Sequence, residues 1–397
     1  MTLPAHGPTS HGTHVARPGA AERSGRGPEG KPGVAPMKVC LICVEIFAWG
    51  KYGGFGRSAR MLGRELARRG ISVTAVVPRR AGQQPVEELD GMTVLSFPMN
   101  RPWEARGLLR RADADIYHSQ HPSYSTSLAM DAMPDRAHLI TFRDPKFFHD
   151  MLIELRYPSR SHLRALIAWI YESYRVPGAV RRADGVFACA LDVGTKVRLA
   201  FGLASDPPFL PSPIAVPPTA PRKSPRPTVC FVARWDRRKR PELFFELARH
   251  RPDVRFVAVG KGQDAEYDAE LRRRYGALPN LEMPGFIDQF SGNALSDLLG
   301  ESWILANTAE REGLPTSFLE AFAHGCAILS RVNPDDLVRR FGEVVQADAF
   351  AEGLDRLLVA DAWRGRGEGG RRYVHEHYEL GNVVDRHLAV YREALHG

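Results

Sequence analysis

The sequence predicts an α/β protein made of two doubly wound domains that face each other across a cleft. Three observations carry that expectation. Strand-like apolar runs alternate with helical stretches in both halves of the chain, and such alternation implies parallel sheets covered on both faces. Residues 207–227 hold nine prolines in twenty-one positions, a composition that breaks regular structure and reads as a linker. The chain's 397 residues suffice for two cores of ordinary size.

In order, the expected strands of the first half are Lys38–Val44, Ser72–Val77, Thr93–Phe97, Ile116–His118, His138–Phe142 and Val186–Ala190. Helices are expected over Gly56–Arg69 and His162–Arg182. The second half reads as strand Thr228–Ala233, a helix from Pro241, strand Val254–Val259, a helix from Glu266, a short strand near Leu281, and strand Ser302–Leu305. A last amphipathic helix follows and ends at His324-Gly325, a C-cap. Residues 1–36 are rich in Gly, Pro, His, Ser and Arg without an apolar signal core, so disorder is expected there and Met37 is a candidate native start. The resulting division is a leader at 1–36, a first domain at 37–206, a linker at 207–227, a second domain at 228–375 and a closing helix at 376–397.

Five cysteines, odd in number and set in apolar runs, point to reduced thiols and a cytoplasmic location. Cys40 and Cys43 form a C-x-x-C, but inside VCLICV and without a second pair, which reads as strand packing. The net charge of +8 is uneven: residues 37–215 hold 24 Lys and Arg against 17 Asp and Glu, whereas 216–397 hold 26 against 27. A basic first half could meet an anionic acceptor or touch the inner face of a membrane peripherally. No basic–aromatic motif supports nucleic acid, and no apolar run reaches transmembrane length.

The chemistry concentrates in REGLPTSFLEAFAHGCAIL, from Arg311 to Leu329. Pro315 suits a first helical turn, and the open amides of Thr316 and Ser317 make an anion site reinforced by the helix dipole. Glu312 precedes that site and Glu320 follows it by about a turn. A nucleotide-diphosphate sugar, anionic at its centre with hydroxyls at both ends, matches this layout: Glu312 would hold the sugar and Glu320 the ribose. Upstream, Gly53, Gly54 and Gly56 let backbone approach a phosphate or sugar. Gly54-x-Gly56-x-x-Ala59 fits a dinucleotide fingerprint literally. However, eight residues separate Val44, the end of the strand, from Gly53, and no acidic residue follows the next strand.

The whole string resembles the E-x7-E region of retaining GT-B glycosyltransferases, glycosyltransferase family 4 in particular. The resemblance runs from Met37 onward and is densest between Thr228 and Leu329. It implies a GT-B fold of two Rossmann-like domains, with the final helices crossing back onto the first. It further implies a retaining, metal-independent enzyme that uses a nucleotide-diphosphate sugar as co-substrate and no cofactor. TVCFVARWDRRKRPELF is similar to the family's first C-terminal strand and loop, which puts Arg234 and Lys239 where a basic pair holds the diphosphate. The G-G-x-G-R loop would face the donor across the cleft. Gly260, Phe286 and Ile287 would border it, with Gly313, Leu314, Pro315, Thr316 and Ser317 around the second carboxylate. His118 ends a strand similar to one carrying a functional histidine, and it is a catalytic candidate. Arg143 stands where the family often has His, followed by Asp144; with Glu45 these are assigned to the acceptor or sugar side. Ala233 and Ser212 depart from the family's usual Gly and Asn. Asp113-x-Asp115 precedes its strand and reads as solvated loop charge. A GT-B nucleotide-sugar 2-epimerase, an NADP-binding oxidoreductase and a non-catalytic nucleotide-sugar binder are the alternatives.

Overall fold

The computed structural model describes residues 36–50, 52–145, 174–262 and 264–396. The leader expectation therefore lies outside the described residues apart from Pro36, and of the helix expected over His162–Arg182 only 174–182 are described, all helical. Thirteen strands are present among these residues. The first sheet contains β1 (Lys38–Ile42), β2 (Ser72–Pro78), β3 (Val86–Leu89), β4 (Met92–Phe97), β5 (Ile116–Ser119), β6 (Ala137–Phe142) and β7 (Gly185–Ala188). The second contains β8 (Thr228–Val232), β9 (Arg255–Val259), β10 (Leu281–Gly285), β11 (Ile304–Asn307), β12 (Ala327–Ser330) and β13 (Gly342–Val344). The described residues pack as one compact unit.

Strand order is β3-β4-β2-β1-β5-β6-β7 in the first sheet and β10-β9-β8-β11-β12-β13 in the second. Every pairing is parallel except β3 with β4. In each sheet the order reverses beside the opening strand: β1 lies between β2 and β5, and β8 between β9 and β11. Loops leaving the carboxyl ends of strands on the two sides of such a reversal diverge and leave a crevice, which is where α/β sheets bind ligands. The antiparallel β3, the buried β12 and the three-residue β13 are additions to the expected set. β3 and β13 are edge strands, where weak apolar patterning leaves little trace in sequence, and the four residues of β12 directly follow Gly325 and Cys326 and read as a continuation of the helix's apolar run.

The central strands are buried on both faces. Val39, Leu41, Val73, Ala75 and Ile116 join one core with Val384, Leu388 and Tyr391 from the closing helix Leu380–His396. The second sheet is packed by Phe231, Trp235, Phe244, Phe245, Phe256 and Trp363. All five cysteines are free and buried, and burial pushes the thiols up, Cys43 to about 12 and Cys189 to about 11. The Pro-rich stretch has no helix, yet it is stitched in place. Ile214 donates to Tyr378 O (2.8 Å) and accepts from Leu380 N (3.0 Å), which ties it to the junction of the last two helices.

The closing helix also seals two histidines. His118 Nδ1 meets Tyr391 Oη at 2.8 Å, its Nε2 meets Thr141 Oγ1 at 2.7 Å, and the His387 ring lies 5.8 Å away. Burial holds both rings neutral, His118 well below the ordinary 6.5 and His387 down to about 4. An unfolded chain would protonate both near pH 6.5, whereas the folded chain resists. Stability is therefore complete above about pH 6.5 and is lost as the pH falls towards 4, at about 1.4 kcal/mol per pH unit for each ring that stays neutral. Urea unfolding at pH 7.5 and 5.0 should register that loss, and His387→Gln should flatten the dependence.

Candidate active site

The second-sheet side of the site is built from loops after β8 and β11. Asn307, the last residue of β11, donates from Nδ2 to Glu312 Oε1 (3.2 Å) and accepts at Oδ1 from Ala309 N (3.1 Å). Thr308 Oγ1 bonds the carbonyls of Lys239 (2.6 Å) and Arg240 (2.8 Å), which ties the two loops together. Lys239 Nζ then forms an ion pair with Glu312, both side chains mostly buried. Arg240 braces the same loop through Glu310 (2.8 Å) and Asp348 (2.7 Å). Arg234 points to Asp236 (3.4 Å) and keeps about a third of its side chain exposed.

Just past Glu312 the chain turns into the helix Thr316–Ala323. Pro315 is its N-cap, one residue earlier than a first-turn position, because its ψ of 128° is extended. The capping side-chain oxygen usual at that position is missing, so the amides of Thr316 and Ser317 remain at an open, positively polarised end. Gly325, at φ +69°, closes the other end: Gly325 N bonds Phe322 O (2.8 Å) and Cys326 N bonds Ala321 O (2.9 Å).

The first-sheet side meets this helix directly. A Cβ on Gly54 would stand 3.0 Å from Thr316 Oγ1. Arg57, on the helix Gly54–Arg68, forms an ion pair with Glu320. Burial pushes the Glu320 carboxyl up, and Arg57 pulls it back. Arg311 makes a forked pair with Asp144 (2.6 and 2.9 Å), and Gly313 lies beside Asp144 and the Arg143 carbonyl. Asp335 accepts from the amides of Leu191 (3.0 Å) and Asp192 (2.8 Å) at the start of the helix Leu191–Phe201. A cavity of about 200 Å³ lies between these elements, lined among others by Glu312, Gly313, Leu314, Asp192, Lys196 and Asp335.

Glu312, Lys239, Glu320, Thr316, Ser317, Gly313, Leu314 and Gly54 therefore come together, with Phe286 and Ile287 close by. Ile287 and Leu314 both pack on the core that holds Phe318 and Leu319. Five of the expected site residues have structural partners inside the protein. His118 is fully buried with both ring nitrogens engaged, so it anchors the closing helix. Arg143 is buried too, its guanidinium donating to Gln120 O (2.6 Å), Gln120 Oε1 and Ser212 Oγ, so its charge is spent inside the protein. Gly56 and Gly260 serve packing: a Cβ on Gly56 would lie 2.7 Å from the Ile46–Phe47 backbone, and one on Gly260 would overlap the Ala233 carbonyl. Glu45 accepts from Gly56 N (3.1 Å) and caps that helix start. Arg57 was missed. Its only signal in the sequence is its place in the G-G-x-G-R loop.

Two doubly wound sheets whose carboxyl ends share one crevice define the GT-B fold. The chain matches the family described as Glycosyl transferases group 1 over residues 217–360, and Glycosyltransferase Family 4 over residues 52–214. It is a family 4-like GT-B glycosyltransferase. Among curated proteins none matches it in sequence. Solved structures that resemble it include AviGT4, a glycosyltransferase involved in avilamycin A biosynthesis, at 20% identity and TM-score 0.56, covering 91% of this chain and 99% of that one. Anabaena HepE in complex with UDP-glucose has 13% identity and TM-score 0.65, covering 89% and 100%. WaaG, a glycosyltransferase involved in lipopolysaccharide biosynthesis, has 17% identity and TM-score 0.59, covering 87% and 98%.

The two neighbouring glycines separate packing from ligand approach. Gly56→Ala should destabilise the fold by about 1–3 kcal/mol, because the obstruction is backbone that cannot swing away. Gly54→Ala meets only a threonine hydroxyl and should cost much less; urea unfolding of both variants checks the difference.

Proposed function

We propose that the enzyme transfers a sugar, with retention and without a metal ion, from a nucleotide-diphosphate donor to a hydroxyl of a glycan, lipid or small molecule. The observation that carries this reading is the Lys239–Glu312 pair at the open start of the Thr316–Ala323 helix, facing the first sheet. A diphosphate there would take its hydrogen bonds from the Thr316 and Ser317 amides and its countercharge from Lys239 and Arg234. Negative charge grows on the leaving diphosphate as the bond to the anomeric carbon breaks, and these fixed donors favour that state most strongly. Lys239, drawn to the phosphates, would release Glu312 to accept from sugar hydroxyls. Glu320 would likewise exchange Arg57 for ribose hydroxyls.

The transition state would be oxocarbenium-like, as in glycoside chemistry generally. No side chain is assigned as nucleophile; departure and attack would occur on one face of the ring. Contacts across the cleft would exclude water from the reacting centre. The UDP-glucose in the HepE structure supports a nucleotide-sugar donor. No helix among the described residues is long and apolar enough to cross a membrane.

Glu312→Ala and Lys239→Ala are each expected to abolish transfer while keeping a wild-type circular-dichroism spectrum; near-wild-type turnover in either removes that residue from the site. A thermal-shift panel of UDP-, GDP- and ADP-sugars should raise the melting temperature with the true donor, since a ligand bound only by the folded state stabilises it. Activity should survive EDTA, and NMR of the product should show the donor's anomeric configuration kept.

A further inference from the structure

Beyond Glu320, four aromatic rings meet across the cleft. Phe47 and Tyr52 come from the loop after β1, Phe286 and Phe290 from the loop after β10. The Tyr52 ring stacks on Phe286 with centroids 4.2 Å apart and planes 26° from parallel. Phe47 closes on Tyr52 at 4.9 Å and on Phe290 at 5.4 Å. Phe47 is fully buried and acts as the floor, while Tyr52, Phe286 and Phe290 are half-buried. The cluster is braced from the first sheet: the Arg60 guanidinium lies 4.0 Å over Phe290 and donates to Phe47 O (2.8 Å). Arg57 connects the cluster to the acid, since it pairs with Glu320 and lies 5.4 Å over Phe47.

We propose that Tyr52 and Phe286 form the stacking seat for the base of the donor nucleotide, with Tyr52 supplying an aromatic face from the domain opposite the helix that holds the phosphates. The inference rests on the function proposed above and deepens it. A nucleotide with its phosphates at Thr316 and its ribose at Glu320 must extend its base past Arg57, and the surface reached there is aromatic. Tyr52 and Phe286 stack on each other, as Lys239 and Arg57 cover the two acids. A planar base offers the same π-face as the ring it displaces, and base–aromatic stacking tolerates purines and pyrimidines alike. Tyr52 would then grip the donor irrespective of its base, and the choice between bases would fall to hydrogen bonds at the base edge.

An apolar zipper that merely holds the loops together is the competing explanation, and side-chain replacement separates the two. Calorimetric titration of UDP, ADP and GDP is made into wild type, Tyr52→Phe, Tyr52→Leu and Tyr52→Ala. Stacking predicts that Tyr52→Phe binds the preferred nucleotide within about twofold of wild type. Tyr52→Ala and Tyr52→Leu should both lose about 5- to 150-fold, the equivalent of about 1–3 kcal/mol. Undiminished binding by Tyr52→Ala, or rescue by leucine equal to that by phenylalanine, overturns the aromatic seat while leaving the donor class standing. A wild-type protein that binds none of the three overturns the donor class and the seat together.

Discussion

A half-buried carboxylate survives in a protein only with a partner, and Glu312 has one that belongs to another loop. Its pairing with Lys239 requires the loops after β8 and β11 to be held together, which Thr308 does by bonding the Lys239 and Arg240 carbonyls. That in turn requires β8 and β11 to be neighbours, a property of the strand reversal in the second sheet. The chemistry of the cleft thus hangs on one topological fact. If β11 did not lie beside β8, neither the ion pair nor the helix start behind it would be assembled.

The first sheet contributes mainly by closing the space in front of that pair. Arg57 with Glu320, Arg311 with Asp144, and Asp335 with the amides at Leu191 and Asp192 all bridge residues distant in sequence. Each is a polar contact that a hydroxyl-rich, anionic ligand could replace. The sealed groups behind them behave differently. His118, Arg143 and Tyr391 are fully enclosed, and their hydrogen bonds fix the closing helix and the Pro-rich stretch against the ends of β5 and β6.

Strands with long apolar runs, such as β1, β2 and β9, were legible because burial on both faces leaves an unbroken signal. The same is true of the helix ending at Gly325, whose left-handed residue is nearly always glycine. Edge strands β3 and β13 were not, since half-exposed short strands carry neither signal, and the four-residue β12 was hidden behind the apolar helix that precedes it. In the site, Glu312, Glu320 and Lys239 could be marked because their types suit an anionic, hydroxyl-bearing ligand. The interior contacts of His118 and Arg143 were not legible for a related reason: a polar residue at or after the end of a strand looks the same in sequence whether it faces a cleft or an interior hydrogen-bond partner.

By itself the sequence determined the alternation of strand and helix, the Pro-rich interruption and the residue types able to hold a diphosphate between two acids. Those follow from local patterning and from the chemistry of single side chains. Only the tertiary structure decided which of the candidates touch. Arg57 reaches Glu320 from 263 residues away, Tyr52 lies on Phe286, and Tyr391 removes His118 from the cleft. Contacts of that kind depend on where the two sheets bring their loops, and spacing along the chain does not encode that distance.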